Sequence, residues 1–176
     1  MKKILGEQRR ELLLKHLKAA ATPITGTALA KLANVSRQVV VNDITLLKAR
    51  NEPILATSQG YVYMQTEQTH DYVERTIACR HTQAQTEEEL LTIVDFGVTV
   101  QNVSVEHAVY GEITANIHVS NRHEVQQFLQ KLQAANATYL SALTDGTHLH
   151  VLRAPSVDAL DHAIAALREK GFLIEE

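Results

Sequence analysis

Apolar positions Ile4, Leu5, Leu12, Leu13, Leu14 and Leu17 recur at helical spacing through a stretch otherwise rich in Lys, Arg, Glu and Gln. They predict an amphipathic first helix that Pro23 closes off. Thr25 or Thr27 is placed to cap a second, short helix carrying Leu29, Ala30, Leu32 and Ala33, and Asn34 stands where a left-handed residue commonly ends one. After a two-residue turn Ser36 opens a third helix, 37–50, whose apolar side is Val39, Val40, Ile44, Leu46 and Leu47. Pro53 stops it. Pro53-Ile-Leu-Ala-Thr-Ser-Gln-Gly-Tyr-Val-Tyr-Met64 then sets two short apolar or aromatic runs around Ser58-Gln59-Gly60, a hairpin signal. Three helices, the last two joined by a tight turn, followed by a hairpin make a winged helix-turn-helix over residues 1–64.

Residues 65–71 are polar and aperiodic and read as a linker. Over 72–176 the pattern changes period several times. A strand over 72–81 builds one face from Val73, Ile77 and Cys79, and Thr86-Glu-Glu-Glu89 reads as a capping box opening a helix that Gly97 closes. Val98, Val100, Val103 and Val105 make a strand, Tyr110-Gly111 a turn, and Ile113, Ala115, Ile117 and Val119 a second strand. Ser120 or Asn121 caps a helix reaching Asn136, with Val125, Phe128, Leu129 and Leu132 apolar. Thr138–Leu143 and Thr147–Arg153 read as strands joined by Thr144-Asp-Gly146, and Ser156 caps a last helix ending at Gly171. This order favours helices layered on one face of a mainly antiparallel sheet. The fold class is therefore α+β: an N-terminal winged helix-turn-helix and a C-terminal two-layer α/β domain with a mainly antiparallel sheet.

Composition narrows the function. No apolar run approaches the ~20 residues of a bilayer helix, and the first ten residues are charged without an apolar signal core, so a cytoplasmic protein is expected. One cysteine, Cys79, rules out an intramolecular disulfide framework and cysteine-rich zinc modules. The net charge of −3 hides an asymmetry: residues 1–64 hold ten basic and four acidic residues (+6), the remainder seven and sixteen (−9). The first part suits a polyanion and the second is repelled by one. Within the third helix Arg37, Gln38 and Asn42 offer paired donors or acceptors to base edges of double-stranded DNA. Ser36, Lys31, Lys48, Gln59 and Tyr61 suit phosphate or minor-groove contact. The segment Leu29-Ala-Lys-Leu-Ala-Asn-Val-Ser-Arg-Gln-Val-Val-Val-Asn-Asp-Ile-Thr-Leu-Leu47 resembles the helix-turn-helix core of bacterial winged-helix repressors, including the bifunctional biotin protein ligase repressors.

No Walker glycine loop, dinucleotide fingerprint, Gly-x-Ser-x-Gly or His-Glu-x-x-His occurs in the acidic part. Histidine stands out instead, with eight of the nine beyond residue 64. His148 and His150, two apart in a strand, share a face with Cα atoms roughly 7 Å apart, near enough for two imidazoles on one ion. His81 ends the first strand and Glu89 lies in the first turn of the next helix, so a short loop brings both to one corner. Three nitrogens and a carboxylate suit Zn(II), Ni(II) or Fe(II), and the absence of thiolate ligands argues against Cu(I). The same residues also fit a plainer reading, in which the two histidines line the exposed face of an edge strand and Glu89 only completes its capping box. His107, which interrupts a strand near a turn, and His118 read as hydrogen-bonded strand residues; His70 in the linker and His123 and His162 on helices have no evident chemical role.

Four ordered motifs carry a more specific resemblance. The winged helix, His81 followed by Thr86-Glu-Glu-Glu-Leu-Leu-Thr-Ile-Val-Asp-Phe-Gly97, then Val105-Glu-His-Ala-Val-Tyr-Gly-Glu-Ile113, and Leu143-Thr-Asp-Gly-Thr-His-Leu-His150 together resemble the niacin-responsive transcriptional repressors of bacteria, whose effector part is called the three-histidine domain. Ala108 stands where that family's Val-Glu-His-Pro-Val-Tyr-Gly stretch commonly has proline. The resemblance spans the chain and implies a homodimeric repressor of NAD biosynthesis or niacin uptake genes. It also implies nicotinic acid as co-repressor and a divalent metal held by His81, Glu89, His148 and His150. No catalytic residue is expected. A metal-responsive repressor, and a small metal-dependent enzyme joined to a winged helix, remain alternative readings of the same residues.

Overall fold

The structure, a computed structural model, describes residues 6–64 and 72–175. The chain forms two compact units, Met1–Gln68 and Thr69–Glu176. Ile4, Leu5, His70 and the linker predicted over 65–71 lie outside the described residues. No helix among the described residues is long and apolar enough to cross a membrane.

The first unit contains α1 (Gly6–Ala19), α2 (Gly26–Ala33), α3 (Arg37–Ala49) and the antiparallel pair β1 (Ile54–Thr57) and β2 (Gly60–Tyr63). Thr25 Oγ1 accepts from Ala28 N at 3.1 Å and Ser36 Oγ from Val39 N at 3.4 Å, so both hydroxyls satisfy helix-end donors. Asn34, with φ 51°, turns the chain between the helices. Leu13, Leu17, Leu29, Val40, Ile44 and Leu47 are buried together, which fixes the angle of α3 against the other helices. Asp43, on the buried side of α3, accepts from Arg9 Nε at 2.5 Å and Nη2 at 3.1 Å and lies 3.4 Å from Arg10 Nη1, pinning α3 to α1. At the hairpin tip Gly60 (φ 139°) lies against the Ile24 carbonyl, where a Cβ would collide. Ile24 and Tyr61 exchange backbone hydrogen bonds of 3.0 and 2.8 Å that hold the wing to the α1–α2 loop.

The second unit runs β3 (Val73–Arg80), α4 (Thr86–Val94), β4 (Thr99–His107), β5 (Gly111–Val119), α5 (Arg122–Ala134), β6 (Thr147–Ala154) and α6 (Val157–Glu169). Its sheet has the order β3-β6-β4-β5 with every pair antiparallel. Ile77, Val100, Ile117 and Leu152 share one core with Leu90, Val125, Leu160 and Leu167 from the three helices. Asn121 and Ser156 cap α5 and α6.

Two local expectations are corrected. Thr138–Leu143 is not a strand: a 3₁₀ turn covers Leu140–Thr144, and Asp145 (φ 49°) with Gly146 (φ 86°) folds it back, Gly146 N donating to Ser141 O at 2.9 Å. The sheet therefore has four strands, and β6 lies inside it rather than at an edge. The capping box also falls elsewhere. Gln85 Oε1 accepts from both the N–H and the hydroxyl of Thr82 at 3.0 and 2.9 Å, before a 3₁₀ turn, Gln83–Gln85, that leads into α4. Thr86 is the first helical residue of α4, and Glu89 is left free of capping.

Candidate functional site

Alternation along β6 sends His148, His150, Leu152 and Ala154 to the buried face, and the interior position of the strand removes the two histidines from solvent, each 3 % exposed. His81 follows β3 directly. Its backbone packs on Gly146, where a Cβ would strike the His81 carbonyl, so a glycine is required for the β3–α4 and 3₁₀–β6 loops to meet. Glu89, one turn into α4, is 1 % exposed.

All four predicted metal ligands meet at one point. His81 Nε2 lies 2.6 Å from Glu89 Oε2, His148 Nε2 3.3 Å from Oε1, and His150 Nε2 3.4 Å from Oε2. Ring centroids of His81 and His148, and of His148 and His150, are both 4.8 Å apart. The other nitrogen of each ring faces a backbone carbonyl: His81 Nδ1 that of Thr82 at 2.8 Å, His148 Nδ1 that of Gly146 at 2.8 Å, and His150 Nδ1 that of Asn102 at 2.6 Å. A carbonyl only accepts, so each Nδ1 carries a hydrogen, and wherever the ring is neutral its Nε2 presents a lone pair. With the rings neutral, three lone pairs converge on a carboxylate that is itself only an acceptor. His81 Nε2, buried 2.6 Å from Glu89 Oε2, makes no other polar contact. Only a proton or a cation makes such a cluster attractive. Second-neighbour carbonyls fixing the ring orientation are what metal-binding histidines need, so the donor set fits a divalent ion.

The local electrostatics show the same demand for positive charge beside Glu89. Burial alone would raise the Glu89 carboxyl, but positive charge on His150 and the contacts from His148, His150 and His81 hold it well below the usual carboxylate range. Burial opposes charging of His81 and His150, yet Glu89 pulls both upward.

Sequence reasoning missed several neighbours. Cys79 pairs across the sheet with His148, and Cys79, Glu89 and His148 present donor atoms within 4.8 Å of one another. Burial, reinforced by the charge of Glu89, pushes its thiol up. The strand alternation that put Cys79 on the inner face was the available signal. Asn102 sits at a register shift in β4 that frees its carbonyl for His150 while its side chain takes Val151 N at 3.1 Å. Phe172 lies 5.3 Å from the His81 ring. No local pattern marks either residue. The centre opens on a cavity of about 220 Å³, walled by apolar Leu90, Val103, Ile117, Phe128 and Leu132 together with Thr86. His107 has a plain role: its Nδ1 accepts from Val109 N and Tyr110 N at 3.1 and 3.3 Å, stabilising the β4–β5 turn.

In the first unit Arg37, Gln38, Asn42 and Lys48 are exposed on α3, with Gln38 donating to Asn42 at 3.3 Å. Lys31 is exposed on α2, and Ser36 is committed to capping α3. Gln59 is half-buried at the hairpin tip, and the Tyr61 ring packs against the core.

A winged helix with an exposed recognition helix, in the same chain as a second unit that holds a buried three-histidine cluster beside a small cavity, defines a DNA-binding regulator. The family comparisons agree: residues 9–62 match the HTH domain family and residues 74–176 the 3H domain family. The chain is 56 % identical over 175 residues to the transcription repressor NadR of Bacillus subtilis, covering 99 % of this chain and 97 % of that protein. It is 37 % identical over 174 residues to the probable transcription repressor NiaR of Thermotoga maritima, covering 99 % and 98 %. The chain belongs to the NadR/NiaR-type family of transcription repressors, with an HTH domain that binds DNA and a 3H domain.

Proposed function

We propose that this repressor is niacin-responsive and cytoplasmic. His81, Glu89, His148 and His150 hold one divalent ion (Ni, Zn or Fe), nicotinic acid enters the adjoining cavity as co-repressor, and the regulated genes serve NAD biosynthesis or niacin uptake. The observation that carries this reading is the set of three histidine Nε2 atoms facing one carboxylate on the wall of a mainly apolar cavity. A bound ion supplies positive charge there, which a small organic anion needs inside an otherwise acidic unit. At about 220 Å³ the cavity is smaller than the ~300–1,000 Å³ of drug-sized sites and suits a single ring. Two copies acting as a homodimer would set their α3 helices in successive major grooves, ~34 Å apart. Nicotinate acts by binding the DNA-competent state more tightly than the other, since equal binding shifts nothing.

The test is fluorescence anisotropy of promoter duplexes from niacin uptake and NAD biosynthesis genes with metal-loaded protein, with and without nicotinate. Tighter binding with nicotinate is expected. Unchanged affinity refutes the co-repressor role, and a change on chelation without any organic ligand would favour the ion itself as the signal.

A further inference from the structure

We infer that Thr86 reads the effector's ring, and that the cavity selects a planar single-ring acid carrying a second hydrogen-bond acceptor over a plain aromatic acid. This rests on the niacin reading above. Thr86 lines the same cavity as the histidine centre and is 9 % exposed. Its Oγ1 is buried and has no hydrogen-bond partner. That is unusual for a helical threonine, whose hydroxyl ordinarily bonds the carbonyl four residues back, as Thr45 does to Val41 O at 2.9 Å and Thr92 to Glu88 O at 2.7 Å. For Thr86 that carbonyl is Thr82 O, whose two lone pairs are already taken by His81 Nδ1 at 2.8 Å and Gln85 N at 3.0 Å. The carbonyl that orients a metal ligand therefore leaves the Thr86 hydroxyl without a partner. Capping does not occupy it either, because Thr82 and Gln85 satisfy each other.

Thr86 precedes Glu89 by three residues on α4, so the two lie on one helix face about 5–6 Å apart at Cβ, on the order of a six-membered ring. Between and around them the walls are mainly apolar; Thr138, Tyr139 and Ser141 also line the cavity, but of the four hydroxyls that of Thr86 is the one buried without a partner. A ligand seated here meets strong positive charge only at the histidine centre, and a buried carboxylate needs that end, because neutral hydroxyls do not offset its desolvation. The hydroxyl is left for the ring: it donates to a ring nitrogen, which a benzene ring lacks. A buried polar group whose only partner is the ligand discriminates sharply, since the wrong ligand leaves it unpaired.

The test uses full-length, metal-loaded protein, with isothermal titration of nicotinate and benzoate against wild type, Thr86→Val and Thr86→Ser. Metal content and thermal melting of the metal-free forms are measured alongside. Wild type is expected to prefer nicotinate by about tenfold or more, Thr86→Ser to keep that preference, and Thr86→Val to lose it by weakening nicotinate alone. Metal-free Thr86→Val should melt no lower than wild type, because the hydroxyl bonds nothing in the protein. Undiminished preference in Thr86→Val overturns the inference alone, as does loss of metal or a lower melting temperature in that variant, which would make the hydroxyl structural. Wild type that binds neither compound overturns the niacin reading, and this inference with it.

Discussion

Glu89→Gln separates a metal ligand from a structural carboxylate, because the two roles predict opposite signs. Gln keeps the shape, removes the charge and adds an amide that donates to imidazole nitrogens 2.6–3.4 Å away. The metal-free variant with neutral rings exchanges an acceptor-against-acceptor cluster for neutral hydrogen bonds, and should melt at or above wild type. Metal binding should fall steeply. Four-ligand structural zinc sites bind with about 10–16 kcal/mol, so assigning one donor a quarter gives a loss of about 2.5–4 kcal/mol, two to three orders of magnitude. At metal a hundredfold above the wild-type Kd, wild type gains about 2.7 kcal/mol, or about 10–20 °C for a unit of this size. The variant then gains about 0.4 kcal/mol or less, under about 3 °C. Differential scanning calorimetry with and without Ni(II) or Zn(II) reads both quantities. A wild-type metal shift in Glu89→Gln removes Glu89 from the ligand set, and a large drop in the metal-free melting temperature refutes the lone-pair argument.

Gly146→Ala should lose metal and destabilise the second unit by more than about 1 kcal/mol, since φ is 86° and the new Cβ meets the His81 carbonyl; metal analysis of refolded protein with calorimetry checks both. Joint replacement of His148 and His150 by alanine should abolish the nicotinate response in the anisotropy assay while leaving weak DNA binding by the separately folded first unit. Asp43→Ala removes the buried carboxylate that Arg9 and Arg10 share and should cost the first unit about 3 kcal/mol, at the low end of the ~3–5 for breaking a buried pair because Arg10 keeps Glu7, measured by urea denaturation. Arg37→Ala should weaken specific DNA by about 1–3 kcal/mol even with nicotinate present, and Lys48→Ala should lower the salt slope by about one, both by anisotropy titration.

Much of the first unit follows from local rules. Thr25 and Ser36 cap because each immediately precedes an apolar-periodic helix, and Asn34 turns because it tolerates positive φ. Gln85 outcompeted Glu89 for the capping box because the 3₁₀ turn starts three residues earlier and brings its amide, rather than a carboxylate, back to Thr82. The 138–143 segment misled for a general reason: a short apolar run has no periodicity long enough to tell a strand from a tight turn. Here the left-handed pair Asp145 and Gly146 decided it, bending the segment over the cavity.

By itself the sequence determined what depends on neighbours along the chain: the helices, the wing, the charge division of +6 and −9, and a shared face for His148 and His150. It also placed His81 and Glu89 one short loop apart. Tertiary structure alone decided which face was buried. Strand order β3-β6-β4-β5 put β6 inside the sheet, carried its histidines out of water, and set Cys79 and Asn102 beside them. The physical reason is that side-chain direction is a local property, with a period of two or 3.6 residues, whereas burial and partnership depend on contacts such as Glu89 with His148, 59 residues apart.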